Sequence, residues 1–205
     1  MILTVDQRES ERAIDTALAA ANPGYDMRRG HPCLYDALRL AIRECPSPPA
    51  SYLEIGVSDG ASLLTVLTRA PHVRSLLLCD PWAPIEGGSG RGSHAHIDAL
   101  LRALGYSGGV TFLDGDSREL LPRHPTNEFF DLATIDGNHS YECALADLTS
   151  VWPRLRPGAV LVLDDYERVP IVSAWTEHVA RTRSSPELLF ELRDESNRTL
   201  VARKP

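Results

Sequence analysis

Five short apolar runs in this 205-residue chain each end at carboxylates, which are the residues best suited to do chemistry. The acids at the ends of the five runs are Glu54, Asp80, Asp114, Asp136 and the adjacent pair Asp164 and Asp165. Short apolar runs separated by helix-like segments predict buried strands of a parallel sheet. Ligands of open parallel sheets bind just beyond the carboxyl ends of the strands. We therefore expect these acids to converge on one crevice, which suits a ligand with hydroxyl groups, a cation or both.

The elements that must position these acids follow an α/β rhythm. Helical patterns separate the five predicted strands at residues 52–55, 76–79, 110–113, 132–135 and 159–163. Alternating strands and helices predict right-handed crossovers and a doubly wound, Rossmann-like sheet. The last two predicted strands, 188–192 and 199–202, are joined by a link too short for a helix, so they must form an antiparallel hairpin. A seven-stranded sheet that ends in such a hairpin is the architecture of class I S-adenosylmethionine (SAM)-dependent methyltransferases.

The N-terminal region and one internal loop stand outside this rhythm. Residues 6–21 and 34–44 have helical periodicity and predict a short helical cap at 1–49, before a SAM-binding domain at 50–205. These helices are also candidate contacts for a homodimer. Residues 84–92 are too rich in glycine to hold a fixed conformation cheaply, so they predict either a mobile lid or a disordered loop.

Composition excludes several classes of function. A formal net charge of -7 argues against binding to nucleic acid or to an anionic membrane. The apolar start of the chain is too short for a signal peptide or a membrane span, so we expect a cytoplasmic protein. Lys204 is the only lysine, which excludes a P-loop lysine and a catalytic lysine in the core. The four cysteines are widely scattered and indicate ordinary buried thiols.

Two sequence features suit the binding of a cofactor that contains a ribose. Residues 54–62 run from a strand into a helix, with Gly56 and Gly60 in the turn and Ser62 in the first helical turn. Glycines there let the backbone approach a ligand, although the same pattern also makes a tight turn without one. Asp80 at the next strand end is placed to accept both hydroxyls of a ribose, or else to cap the following turn.

A third feature follows the third predicted strand. Asp116 and Ser117 have the groups needed to bind the edge of an adenine, with the carboxylate accepting from the exocyclic amine and the hydroxyl donating to a ring nitrogen. Either residue is also a suitable N-cap for the short helix predicted there. The two interpretations predict different partners for the same side chains.

The fourth and fifth predicted strands, expected to be neighbours, carry Asp136, Asp164 and Asp165 at their ends. Three carboxylates so close together need a cation or a strongly raised pKa. Oxygen ligands suit a hard ion such as Mg²⁺ or Ca²⁺. The alternative is that Asp164 and Asp165 cap the next helix and that Asp136 binds only the cofactor.

From residue 52 to residue 175 the chain resembles a small metal-dependent group of class I methyltransferases. This group is typified by the macrocin, mycinamicin and novobiocin-pathway sugar O-methyltransferases, and it includes sequences labelled cephalosporin hydroxylase. The matching signatures are Tyr-Leu-Glu-Ile-Gly-Val at 52–57, Leu-Cys-Asp-Pro-Trp at 78–82, Ile-Asp-Gly-Asn-His-Ser-Tyr at 135–141, and the segment from Leu155 to Tyr166 that contains Arg-Pro-Gly and Asp-Asp-Tyr.

The resemblance implies roles for the residues already singled out. The implied SAM contacts are Glu54, Gly56, Gly60, Asp80, Asp116 and Ser117, to which the strand-to-helix motif adds Ser62. The implied Mg²⁺ ligands are Asp136, Asp164 and Asp165, and Asp136 serves the cofactor as well. His139 stands where some relatives carry a general base, and it is equally suited to ordering the turn; Asp136 is the other candidate base.

The expected activity is SAM-dependent, Mg²⁺-dependent O-methylation of a small molecule, with a sugar diol or a catechol-like compound as acceptor. Two alternatives remain open at this point: an oxygenase of the cephalosporin hydroxylase type, and a non-catalytic SAM-binding subunit. A dehydrogenase is disfavoured by the glycine spacing, the terminal hairpin and the lack of a core lysine.

Overall fold

The computed structural model describes residues 32–82, 92–125, 127–182 and 185–205. The helix predicted at 6–21 and nearly all of the loop predicted at 84–92 lie outside these ranges. No helix within them is long and apolar enough to cross a membrane. The helices are α1 (Pro32–Glu44), α2 (Ala61–Arg69), α3 (His94–Ala103), α4 (Ser117–Leu120), α5 (Tyr141–Val151) and α6 (Val169–Thr182). The strands are β1 (Ser51–Ile55), β2 (Ser75–Asp80), β3 (Gly109–Asp114), β4 (Phe130–Ile135), β5 (Leu155–Leu163), β6 (Glu187–Arg193) and β7 (Arg198–Arg203).

The strands form one seven-stranded sheet in the order β3-β2-β1-β4-β5-β7-β6. Strands β1 to β5 pair in parallel, whereas β7 runs antiparallel to both β5 and β6. The predicted doubly wound sheet with a C-terminal antiparallel hairpin is therefore confirmed. Strand order reverses between β1 and β4, which is where a ligand crevice forms in sheets of this type.

The central strand β1 shows why its sequence reads as an unbroken apolar run. Leu53 and Ile55 lie in one hydrophobic core with residues of α5 and α6. Tyr52, on the other face, lies in a second core with Leu34 and Leu38 of α1. Because both faces of β1 are buried, the usual alternation of apolar and polar residues is absent. Helix α1, predicted as part of the cap, is packed into this second core.

The amino ends of the central strands are tied together by Asp131. Its Oδ2 accepts from the backbone N–H of Ala50 at 2.9 Å and from that of Ser51 at 3.1 Å. Its Oδ1 accepts from Arg156 at 2.8 Å, so one carboxylate joins β1, β4 and β5. This fixed amino edge sets the register of the strands whose opposite ends carry the predicted site.

Candidate active site

The turn from β1 into α2 has the backbone conformation that its glycines predict. Gly56, Ser58 and Gly60 have φ angles of 84°, 52° and 88°, all in the left-handed region. A Cβ at Gly56 would overlap the backbone carbonyl of Asp136. Glycine therefore allows the β1 turn to lie directly against the end of β4.

Asp80 joins the end of β2 to this turn. Its Oδ2 accepts from the backbone N–H of Ser58 at 2.9 Å, and its Oδ1 accepts from that of Trp82 at 2.7 Å. A carboxylate has about four lone-pair sites, so both oxygens can accept further hydrogen bonds. The half-buried carboxylate thus keeps the capacity to accept two hydroxyls of a ribose.

Glu54 and Ser62, both predicted cofactor contacts, contact each other. The Ser62 hydroxyl donates to the Glu54 carboxylate, and the two residues are only 6% and 0% exposed, respectively. Burial raises the pKa of Glu54 to about 8, although the Ser62 hydrogen bond opposes the shift. The pair therefore joins the end of β1 to the start of α2, on the two sides of the glycine turn.

Asp116 and Ser117 lie at the start of α4 and have partners within the chain. Asp116 accepts from the backbone N–H of Arg118 at 2.9 Å and forms an ion pair with its guanidinium, so Asp116 is the N-cap of α4. The Ser117 hydroxyl donates to Asp147 Oδ1 at 2.6 Å. Asp116 therefore acts as an N-cap in this structure, and contact with an adenine stays a prediction.

Asp147 itself was not foreseen, because nothing in its own helix marks it as more than a polar residue of α5. It is 1% exposed, and burial raises its pKa to about 7. The folded state therefore holds a proton on this carboxyl group that the unfolded chain releases near pH 4.

This difference gives a stability prediction with a definite sign. Since the folded-state pKa is raised, stability falls as the pH rises from about 4 to about 7. Asp147→Asn removes the titration and keeps an oxygen that accepts from Ser117. We expect the variant to exceed the wild type in free energy of unfolding by about 2–4 kcal/mol at pH 8 and to match it near pH 4.

Urea denaturation at the two pH values measures this difference. The exposed helix residue Asp98 provides the control, and Asp98→Asn should change the free energy of unfolding little at either pH. Equal stability of the Asp147→Asn variant and the wild type at pH 8 would contradict the raised pKa of Asp147 in the folded state.

Ligand atoms of Asp136, His139 and Asp165 lie within 4.8 Å of one another at the ends of β4 and β5. His139 Nε2 is 2.6 Å from Asp165 Oδ2. Asp165 adopts a φ of 54°, which is uncommon for a residue other than glycine and typical of functional sites. The three side chains form a compact group next to the glycine turn, because Gly56 lies against Asp136.

The charges in this cluster favour a cation. Burial raises the pKa of Asp136, and the nearby charges of Asp164 and Asp165 raise it further. Burial also opposes ionisation of Asp165, but His139 and Arg168 outweigh it and hold the pKa of Asp165 well below its usual range. A divalent ion between Asp136 and Asp165 would relieve the repulsion that the raised pKa reports, so the residues fit a metal ion.

Asp164 is not part of this group of ligand atoms. It is 2% exposed, and its Oδ1 accepts from the hydroxyl of Thr199 on the neighbouring strand β7. Adjacent residues at a strand end point in different directions. The structure therefore groups ligand atoms of Asp136, Asp165 and His139, with the charge of Asp164 close to Asp136, and the role of Asp164 as a metal ligand stays a prediction.

A second polar group, in which the predicted acid Asp114 has partners that the sequence did not indicate, lies at the ends of β2 and β3. Trp82 has a φ of 54°, and its indole N–H donates to Asp114 Oδ1 at 2.7 Å. His94 Nδ1 lies 2.7 Å from Asp114 Oδ2, and its ring stacks on Phe112. Asp114 thus fixes an aromatic side chain two residues after Asp80. In the sequence, Asp-Pro-Trp at 80–82 is the pattern that could have indicated this group.

The sheet order, the terminal hairpin, the glycine turn after β1 and the acid after β2 define a class I SAM-dependent methyltransferase. The sequence matches the family described as a methyltransferase domain over residues 53–166, and the chain belongs to that family. No curated protein sequence matches the chain.

Solved structures of methyltransferases share this fold at low sequence identity. CalS11, a TDP-rhamnose 3'-O-methyltransferase of calicheamicin biosynthesis, is 20% identical with a TM-score of 0.62, covering 98% of this chain and 96% of that chain. The O-methyltransferase NovP is 22% identical with a TM-score of 0.59, covering 83% and 78%. An O-methyltransferase from Bacillus cereus in complex with S-adenosylhomocysteine (SAH) is 18% identical with a TM-score of 0.59, covering 94% and 90%.

Proposed function

We propose that this protein is an O-methyltransferase that uses SAM and Mg²⁺ to methylate a hydroxyl of a small molecule, either a sugar diol or a catechol-like compound. The observation that carries the proposal is the cluster of Asp136, His139 and Asp165 immediately beside the glycine turn. The fold shared with CalS11 and NovP, whose names state O-methylation, supports this choice of acceptor atom.

Each proposed ligand has its own set of residues. Asp136, Asp164 and Asp165 would supply the negative charge that holds Mg²⁺, with Asp136 and Asp165 as the direct ligands. On the donor side, Asp80 would accept the ribose hydroxyls, and Asp116 and Ser117 would bind the adenine edge. Gly56 and Gly60 would let the backbone approach the rest of the donor.

When bound, SAM supplies an electrophilic methyl group, and Mg²⁺ lowers the pKa of an acceptor hydroxyl and restrains its position. The protein's own part is alignment and proton transfer. His139 would take the acceptor proton through the ring nitrogen that does not contact Asp165, and Asp165 holds the ring in position through its 2.6 Å contact with Nε2. Asp136 is the second candidate acceptor of this proton. Base catalysis of this kind is worth about 10²–10⁴-fold.

The two alternatives receive less support. Non-haem iron oxygenases use two histidines and one carboxylate, whereas the cluster in the described part of the chain has one histidine and two carboxylates. A non-catalytic subunit would have no need of buried, repelling carboxylates next to the donor site, because their burial costs stability.

Isothermal titration with SAH and, separately, with Mg²⁺ tests the proposal. We expect saturable binding of both. Asp80→Asn should weaken SAH binding by about tenfold or more, since charged hydrogen bonds to the ribose are lost, while Mg²⁺ affinity changes little. If the wild-type protein binds neither SAH nor Mg²⁺, the proposed function is wrong. If Asp80→Asn binds SAH as tightly as the wild type, the role of Asp80 is wrong.

A further inference from the structure

Arg168 lies beside the proposed catalytic cluster with most of its hydrogen-bonding capacity unused. It immediately precedes α6, and its Nε donates to Asp165 Oδ1 at 3.0 Å. The same Nε lies 3.7 Å from Glu167. Neither terminal nitrogen of Arg168 has a hydrogen-bond partner among the residues that the structure describes, and the side chain is 48% exposed. One edge of the guanidinium therefore faces away from the carboxylates.

Arg118 forms an ion pair with two hydrogen bonds to one carboxylate, and it can be compared with Arg168. Arg118 donates from Nε to Asp116 Oδ1 and from Nη2 to Asp116 Oδ2, which is the common two-bond geometry of arginine and carboxylate. Arg168 makes only the Nε bond to Asp165. If neutralising Asp165 were its whole role, the two-bond arrangement would be the stronger one.

The loop that carries Arg168 is held in place by the C-terminal hairpin. The backbone N–H of Tyr166 donates to the carbonyl of Arg198 at 2.7 Å, and Glu167 accepts from the backbone N–H of Arg198 at 2.7 Å. The backbone N–H of Arg168 donates to the carbonyl of Asp165 at 2.9 Å. These bonds fix the backbone from which the Arg168 side chain extends, and the single bond from its Nε to Asp165 Oδ1 holds the guanidinium beside the cluster.

We propose that Arg168 binds an anionic group of the methyl acceptor, a carboxylate or a phosphate on the same small molecule as the hydroxyl. This inference rests on the proposed function and narrows its substrate class from sugar diols or catechol-like compounds in general to those that carry an acidic group. The two free terminal nitrogens suit two oxygens of such a group. The positive charge of Arg168, beside Asp165, would attract such an anionic group to this side of the cluster.

Matched probes separate the anionic group from the rest of the acceptor. Binding to the protein with SAH and Mg²⁺ present is measured for 3,4-dihydroxybenzoate against catechol and for glucose 6-phosphate against glucose. We expect at least one acidic probe to bind about tenfold or more tightly than its neutral partner, and the probe that does so distinguishes a carboxylate from a phosphate. Arg168→Gln should abolish this preference, and Arg168→Lys should restore part of it.

Arg102→Gln is the matched control, because Arg102 is an exposed arginine in an ion pair with Asp98 on α3. This variant should keep the preference of the wild type. SAH affinity is measured in parallel, so that a failure of the inference about Arg168 can be distinguished from a failure of the proposed function. If SAH binds but neither acidic probe is preferred, or if Arg168→Gln keeps the preference, the inference is wrong while the proposed function stands. If SAH does not bind, both are wrong.

Discussion

Asp165→Asn is expected to weaken Mg²⁺ binding by about 100-fold or more while leaving SAH affinity almost unchanged. Asp165 is the residue on which the cluster depends, because its two oxygens contact His139 and Arg168 and its charge lies next to Asp136. Asparagine removes the charge and tolerates the left-handed backbone at this position, so the loop should keep its shape. The loss should therefore be confined to the metal and to chemistry that depends on it.

Isothermal titration with Mg²⁺ and with SAH measures both affinities, and circular dichroism checks that the variant is folded. Asp98→Asn removes a surface carboxylate of α3 and should change neither affinity. Methyl transfer from SAM to 3,4-dihydroxybenzoate or catechol, where it occurs, should fall by roughly 10²–10⁴-fold in Asp165→Asn. Unchanged Mg²⁺ affinity in this variant would contradict the assignment of Asp165 as a ligand.

Gly56→Ala is expected to lower the free energy of unfolding by more than about 3 kcal/mol, or to prevent folding altogether. Two costs add at this position. The left-handed backbone disfavours any side chain, and the new Cβ would overlap the backbone carbonyl of Asp136, which cannot move without separating β1 from β4.

Gly105→Ala separates these two costs. Gly105 also has a left-handed backbone, with a φ of 67°, but its Cβ would meet nothing within 4 Å. Its substitution should cost only about 1–2 kcal/mol, the conformational cost of that backbone for a residue with a Cβ. Urea denaturation measures both variants. Equal destabilisation in the two would show that the contact with Asp136 is not what requires glycine at position 56.

The sheet could be predicted from the sequence because parallel strands buried on both faces leave a direct signal. The run that contains Leu77 and Cys79 is apolar at successive positions because helices cover both faces of β2. The six-residue link at 193–198 could join only an antiparallel pair, so the terminal hairpin also followed from length alone. These inferences depend on local pattern and on chain length.

The membership of the site could not be predicted in the same way. Asp164 and Asp165 are adjacent and chemically identical, yet Asp164 accepts from Thr199 of the distant strand β7 whereas Asp165 contacts His139. The bond between Ser117 and Asp147 likewise joins two helices. Contacts of this kind depend on how distant elements pack, and the types and spacing of residues within one segment carry no record of them.

The most direct test of the central claim is a crystal structure of the protein with SAH and Mg²⁺. We expect SAH to lie against the turn at Gly56, with Asp80 accepting its ribose hydroxyls, and Mg²⁺ to be bound by Asp136 and Asp165. SAH bound elsewhere, or a metal ion that leaves Asp165 paired only with His139 and Arg168, would contradict this claim.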